Sequence, residues 1–130
     1  KDVVLLSGYA ARPGFSEYKE GLRINDIIKS YDDLLPLSDR NYILIKRENS
    51  NNGRLDFYSI DIETGIINWI NEINSNLTPI INDNFIFTVS DEGYLYVLDK
   101  IKGNIIRINY LFENYKLKIR KKIKPIGFSI

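Results

Sequence analysis

The spacing of apolar positions changes along the chain, and each change predicts a different element. Val3 to Leu6 is a short β-branched and aliphatic run, which predicts a buried strand. Arg12-Pro13-Gly14 follows. Pro fixes φ and Gly tolerates a positive one, so a hairpin-like reversal is predicted with Gly14 in the left-handed region. Phe15 to Lys19 alternates as a second strand, and Glu20-Gly21 closes that unit. From Ile24 the period lengthens. Ile24, Ile27, Ile28 and Tyr31 fall on one helical face, predicting about two turns with the isoleucines buried. Asp26 suits the dipole of the first turn, and Asp32-Asp33 with Pro36 end the helix. Tyr42 to Lys46 is a strand, Glu48 to Gly53 a turn, and Leu55 to Ile62 the returning strand.

The order β-β-α-β-β is a β-grasp pattern, one helix covering one face of a small mixed sheet. Past Asp61 the texture becomes all-β. Strands are predicted near 66–70, 78–81, 85–89, 94–98 and 104–109, divided by turns at Thr64-Gly65, Asn82-Asp83-Asn84, Asp91-Glu92-Gly93 and Lys102-Gly103. A helix is conceivable only around 110–117. The expected fold class is therefore α+β followed by all-β: a β-grasp domain over 1–62, then antiparallel, propeller-blade-like strands over 63–130. Tyr58-Ser59-Ile60-Asp61, Gly65 and Ile67 recur as Tyr96-Val97-Leu98-Asp99, Gly103 and Ile105, each 38 positions on. That offset is close to the ~40 residues of a propeller blade. Fewer than two copies are present, so the propeller is expected to be incomplete, with Trp69, Ile80, Phe87 and Leu95 exposed unless something packs on them.

Composition narrows the chemistry. Net charge is +1 over 130 residues, too balanced for a nucleic-acid binder, and the late basic excess lies in Lys116, Lys118, Arg120, Lys121, Lys122 and Lys124. Without Cys there are no disulfides, thiolate nucleophiles or cysteine zinc sites. Without His the commonest general base and metal ligand is missing. No apolar run approaches the ~20 residues of a spanning helix. There is no Met, so the sequence reads as a processed product or a fragment. Asp32-Asp33 has no third ligand near it in sequence and reads as a solvated helix end. Asp91, Glu92 and Asp99 lack the spacing of a calcium loop. No catalytic, cofactor or metal residue is expected.

Val4-Leu5-Leu6-Ser7-Gly8, then Arg12-Pro13-Gly14, then Tyr18 to Ile28 with Glu20-Gly21, resembles the soluble ligand-binding β-grasp domain of polysaccharide export proteins. Leu34 to Glu48 resembles that family's entry into its fourth element. Arg23 departs from the pattern, since a Thr or Ser commonly caps the helix there and Arg cannot accept its amide bonds. Ser59-Ile60-Asp61-Ile62-Glu63-Thr64-Gly65-Ile66-Ile67-Asn68-Trp69 resembles the Trp-docking motif of pyrroloquinoline-quinone-type propellers, with Ser59 where Ala is usual. In the second copy Lys102 replaces Thr and Arg107 replaces Trp.

The first resemblance implies a non-catalytic binding and assembly module in polysaccharide export, periplasmic or at the outer membrane, with a glycan or other export subunits as partners and a ring-like homo-oligomer. The second implies the alternative, a propeller scaffold that binds proteins through its loops, as in the outer-membrane protein assembly factor. Tyr9, Arg12 and Tyr18 are the candidate ligand contacts, because tyrosine faces can stack on sugars. Gly8, Pro13, Gly14, Gly21, Asp61, Thr64, Gly65 and Trp69 are read as residues that shape the motifs.

Overall fold

The computed structural model describes residues 2–126, and these divide into one unit up to Arg40 and a second from Asn41 onward. In the first unit, β1 (Val3–Leu6) and β2 (Gly14–Glu17) form an antiparallel two-stranded sheet. Leu6 pairs with Gly14, so the reversal is the whole 7–13 loop rather than a tight turn, and Gly14 opens β2 at φ +147°. The loop is stitched to the end of the unit. Ala10 bridges Leu34, the Ala11 amide donates to the Asp33 carbonyl, and the Leu35 amide donates to that of Tyr9.

The helix is a single turn, α1 (Ile24–Ile27). Two carboxylates set its length. The Asp26 carboxylate reaches back to the Arg23 amide at 2.7 Å, giving the start a cap that Arg23 itself cannot supply. At the other end the Asp33 carboxylate takes the amides of Lys29 and Ser30, which a second helical turn would have used. Ser30 then starts a 3-10 turn over Tyr31–Asp33. Ile28 is buried, Ile24 and Ile27 are half-buried, and Tyr31 is exposed with the Arg40 guanidinium 4.3 Å above its ring.

In the second unit β3 (Ile43–Glu48), β4 (Leu55–Ile60) and β5 (Ile67–Glu72) make a three-stranded antiparallel meander. A four-stranded meander follows: β6 (Ile80–Ile81), β7 (Phe85–Val89), β8 (Tyr94–Asp99) and β9 (Ile105–Tyr110). A second one-turn helix, α2 (Leu117–Arg120), begins at the end of the 110–117 stretch. The two meanders share one core of Phe57, Trp69, Ile73, Ile86 and Leu98, with Tyr42, Leu44 and Tyr96 packed against it.

The expected fold class is corrected by this topology. Among the described residues strand occupies 38% and helix 9%, in three small antiparallel sheets, and these form neither a β-grasp nor a closed propeller. A β-grasp would need β1 to β4 in one mixed sheet under a helix. Instead β4 takes β5 as its second neighbour, with Tyr58 opposite Ile70 and Ser59 opposite Trp69. Six residues separate β4 from β5, so the connection is local and closing it costs little entropy. The hairpin of β1 and β2 has little to offer in competition, since all of β2 is exposed.

Candidate functional site

In the second unit one turn occurs twice. Asp61 donates its amide to the Ile66 carbonyl, its carbonyl accepts from the Gly65 amide, and its Oδ1 accepts from the amides of Glu63 (2.8 Å) and Thr64 (2.9 Å). Asp99 does the same 38 positions later, with Asn104, Gly103, Ile101 (2.9 Å) and Lys102 (2.7 Å). A short carboxylate satisfies two amides that the strand ladder leaves open, which is why Asp starts both turns. Gly65 and Gly103 sit at φ +71° and +72°, the left-handed region that glycine enters without penalty. Each turn also follows a register shift, at Ser59/Ile60 and at Val97/Leu98.

Trp69 lies on the second of these turns. It is 8% exposed, and its indole N–H donates to the Lys100 carbonyl at 2.9 Å. Gly103 is buried beneath it, and a Cβ there would overlap the indole ring. Asn71, two residues on along β5 and on the same face, donates its side-chain amide to the Gly103 carbonyl. Trp69 is thus buried within the second unit, by the repeat's own second copy.

Register shows how the copies meet. Leu44, Phe57, Ser59, Trp69 and Asn71 share one face of the first meander. The counterparts of Phe57, Ser59, Trp69 and Asn71 on β8 and β9 are Leu95, Val97, Arg107 and Asn109, on the face of the second meander away from the shared core. The core face of the second meander is instead the one with Ile86, Thr88, Tyr96 and Leu98. Tyr96 and Leu98 correspond to Tyr58 and Ile60, on the opposite face of the first meander. The packing is therefore head to tail: one face of the first copy meets the other face of the second.

A polar seam beside the core escaped the sequence pattern. Lys46 is half-buried and donates its Nζ to the Leu77 carbonyl at 3.1 Å, and burial pushes its pKa down against the opposing pull of Asp91. Ser75 and Thr88 are fully buried and bond to each other at 3.2 Å, and Asp91 holds the amide and side chain of Asn76. A lone Lys in an alternating strand reads as solvent-facing, so nothing in the spacing distinguishes Lys46. Gly103, by contrast, was findable from its 38-position offset to Gly65.

In the first unit the candidate ligand contacts go different ways. Tyr9 is 66% exposed, with its carbonyl accepting from the Ser38 hydroxyl at 2.6 Å, and Tyr18 is also exposed. The Arg12 guanidinium is committed to the Asp33 carboxylate at 2.6 Å. Gly8 and Gly21 have positive φ, and Pro13 is exposed directly before β2. The Arg12 hydrogen bond, helped by the amides of Lys29 and Ser30, holds the Asp33 carboxyl below its ordinary pKa. A depressed folded-state pKa contributes stability above the unfolded value and loses it as pH falls through the folded one. The loop stitching around Asp33 is therefore expected to loosen only in acid. An NMR titration should show the Asp33 midpoint rising in Arg12→Ala; an unmoved midpoint would assign the effect elsewhere.

Among the described residues no group of three or more acidic side chains is placed to hold a metal ion, and no helix is long and apolar enough to cross a membrane. No protein-family model matches the chain, and no curated protein matches it.

Proposed function

We propose that the chain is an assembly module that stacks small antiparallel sheets head to tail and uses the same faces to bind protein neighbours. The observation that carries this reading is the seating of Trp69 and Asn71 on the Gly103 turn, one repeat gripping the next. A heterologous contact of this kind does not exhaust itself in one pairing, because each copy keeps a second face of the same type. The expected link to polysaccharide export draws on the Arg12-Pro13-Gly14 and Glu20-Gly21 motifs. With no β-grasp to carry those motifs, the scaffold reading is the better supported of the two.

Apolar residues on an edge strand of each meander support it further. Ile67 and Ile70 on β5 are exposed, as are Ile105, Ile106 and Ile108 on β9. Exposed isoleucines clustered on such strands mark interaction surfaces. The full chain is expected to associate with increasing concentration in sedimentation experiments, and Ile70→Lys to weaken that association without unfolding the chain. A chain that stays monomeric at every accessible concentration, and binds no hydrophobic dye, would show that these faces do not serve assembly.

A further inference from the structure

The two copies of the turn differ in what lies on them. Gly103 is covered by Trp69, while Gly65 is exposed and a Cβ there would meet nothing within 4 Å. The carbonyls of Ile62 and Gly65 stand where those of Lys100 and Gly103 receive Trp69 and Asn71. The first turn therefore has the form of the second without its occupant.

The docking strand is also present twice. Arg107 and Asn109 of β9 occupy the positions of Trp69 and Asn71 on β5. Arg107 is exposed, and its Nε donates to the Asn109 side chain at 2.7 Å. A guanidinium is planar, stacks flat like an indole, and offers N–H donors to carbonyls.

Charge assigns the partner. The filled turn carries Lys100 and Lys102, which suit a neutral indole and would repel a cation. The corresponding positions of the open turn hold Ile62 and Thr64, with Glu63 between them, so that turn carries acid and no base. Arg107 matches the open turn and mismatches the filled one.

We infer that the Asp61–Gly65 turn is a docking site for a second copy of this chain, which seats its Arg107-Ile108-Asn109 strand there as Trp69-Ile70-Asn71 seats on the Gly103 turn. The inference rests on reading the second unit as an assembly module and adds the residues and the partner. Because the contact is head to tail, each copy gives Arg107 forward and receives one at Gly65, and the assembly grows beyond a dimer.

The test is a charge swap in the full chain, read by sedimentation and by amide shifts of Thr64 and Gly65. Arg107→Glu and Glu63→Arg should each weaken self-association by about tenfold or more, as like charges facing each other do. The double variant should recover a large part of the loss, and the shifts at Thr64 and Gly65 on dilution should vanish in Arg107→Glu. Both side chains lie on the surface, so a loss of folding is not expected, and circular dichroism checks it. Wild-type chain that associates while both single variants associate equally well would overturn this contact and leave the assembly reading standing. A double variant no better than either single one would also overturn it. A wild-type chain that never associates would overturn both.

Discussion

Replacing Trp69 by Ala is expected to lower the stability of the second unit by about 3–5 kcal/mol, the usual cost of deleting a large buried aromatic. The side chain is the chain's sole Trp, it sits in the one core shared by both meanders, and its removal also uncovers Gly103. A small domain has only ~5–15 kcal/mol in all, so the variant should be largely unfolded at moderate temperature. Trp69→Phe separates packing from hydrogen bonding. It keeps most of the apolar contact but leaves the Lys100 carbonyl without its indole donor, for a loss of about 1–2 kcal/mol. Urea unfolding followed by far-UV circular dichroism measures both. A Trp69→Ala loss under about 1 kcal/mol would mean that the indole is not what joins the meanders.

The second large effect compares two glycines in nearly identical backbone. Gly65→Ala and Gly103→Ala each place a Cβ in the left-handed region, at φ +71° and +72°, and each should cost about 1 kcal/mol for that alone. At Gly65 the new methyl enters open space. At Gly103 it must displace the Trp69 ring, and overpacking of this sort adds a further ~1–3 kcal/mol. Gly103→Ala should therefore unfold at clearly lower urea than Gly65→Ala. Equal midpoints would show that the ring does not rest on the glycine. Because backbone strain is matched, the difference isolates the contact.

Where the strands fall was legible in the sequence because it is decided locally. β-branched runs between turn residues mark β3, β4, β7, β8 and β9 within a residue or two of where they form. The Asp-x-x-x-Gly turns were legible for the same reason, since a carboxylate two and three residues before the amides it binds, and a glycine at positive φ, are properties of five consecutive positions. The 38-position echo went further and put Gly103 in register with Gly65. It also set Arg107 opposite Trp69 in the alignment of the copies, before either had a known neighbour.

Which strands become neighbours was decided only by tertiary structure. Leu55 to Ile60 fits a β-grasp strand or a meander strand equally well, because period-two alternation fixes the faces of a strand and says nothing about its edges. The choice fell to β5 because a short connection brings it alongside at little entropic cost, while β2 presents only exposed residues. The helix shows the same limit. Ile24, Ile27, Ile28 and Tyr31 carry a helical period across two turns, yet Asp33 removes the amides of Lys29 and Ser30 and stops the helix after one. That carboxylate is itself held by Arg12, a residue 21 positions earlier. The same holds for the docking site: the sequence contains the turn, the tryptophan and the arginine. Only the packing of one meander on the other shows which turn is filled and which is open, because burial depends on neighbours that lie far apart along the chain.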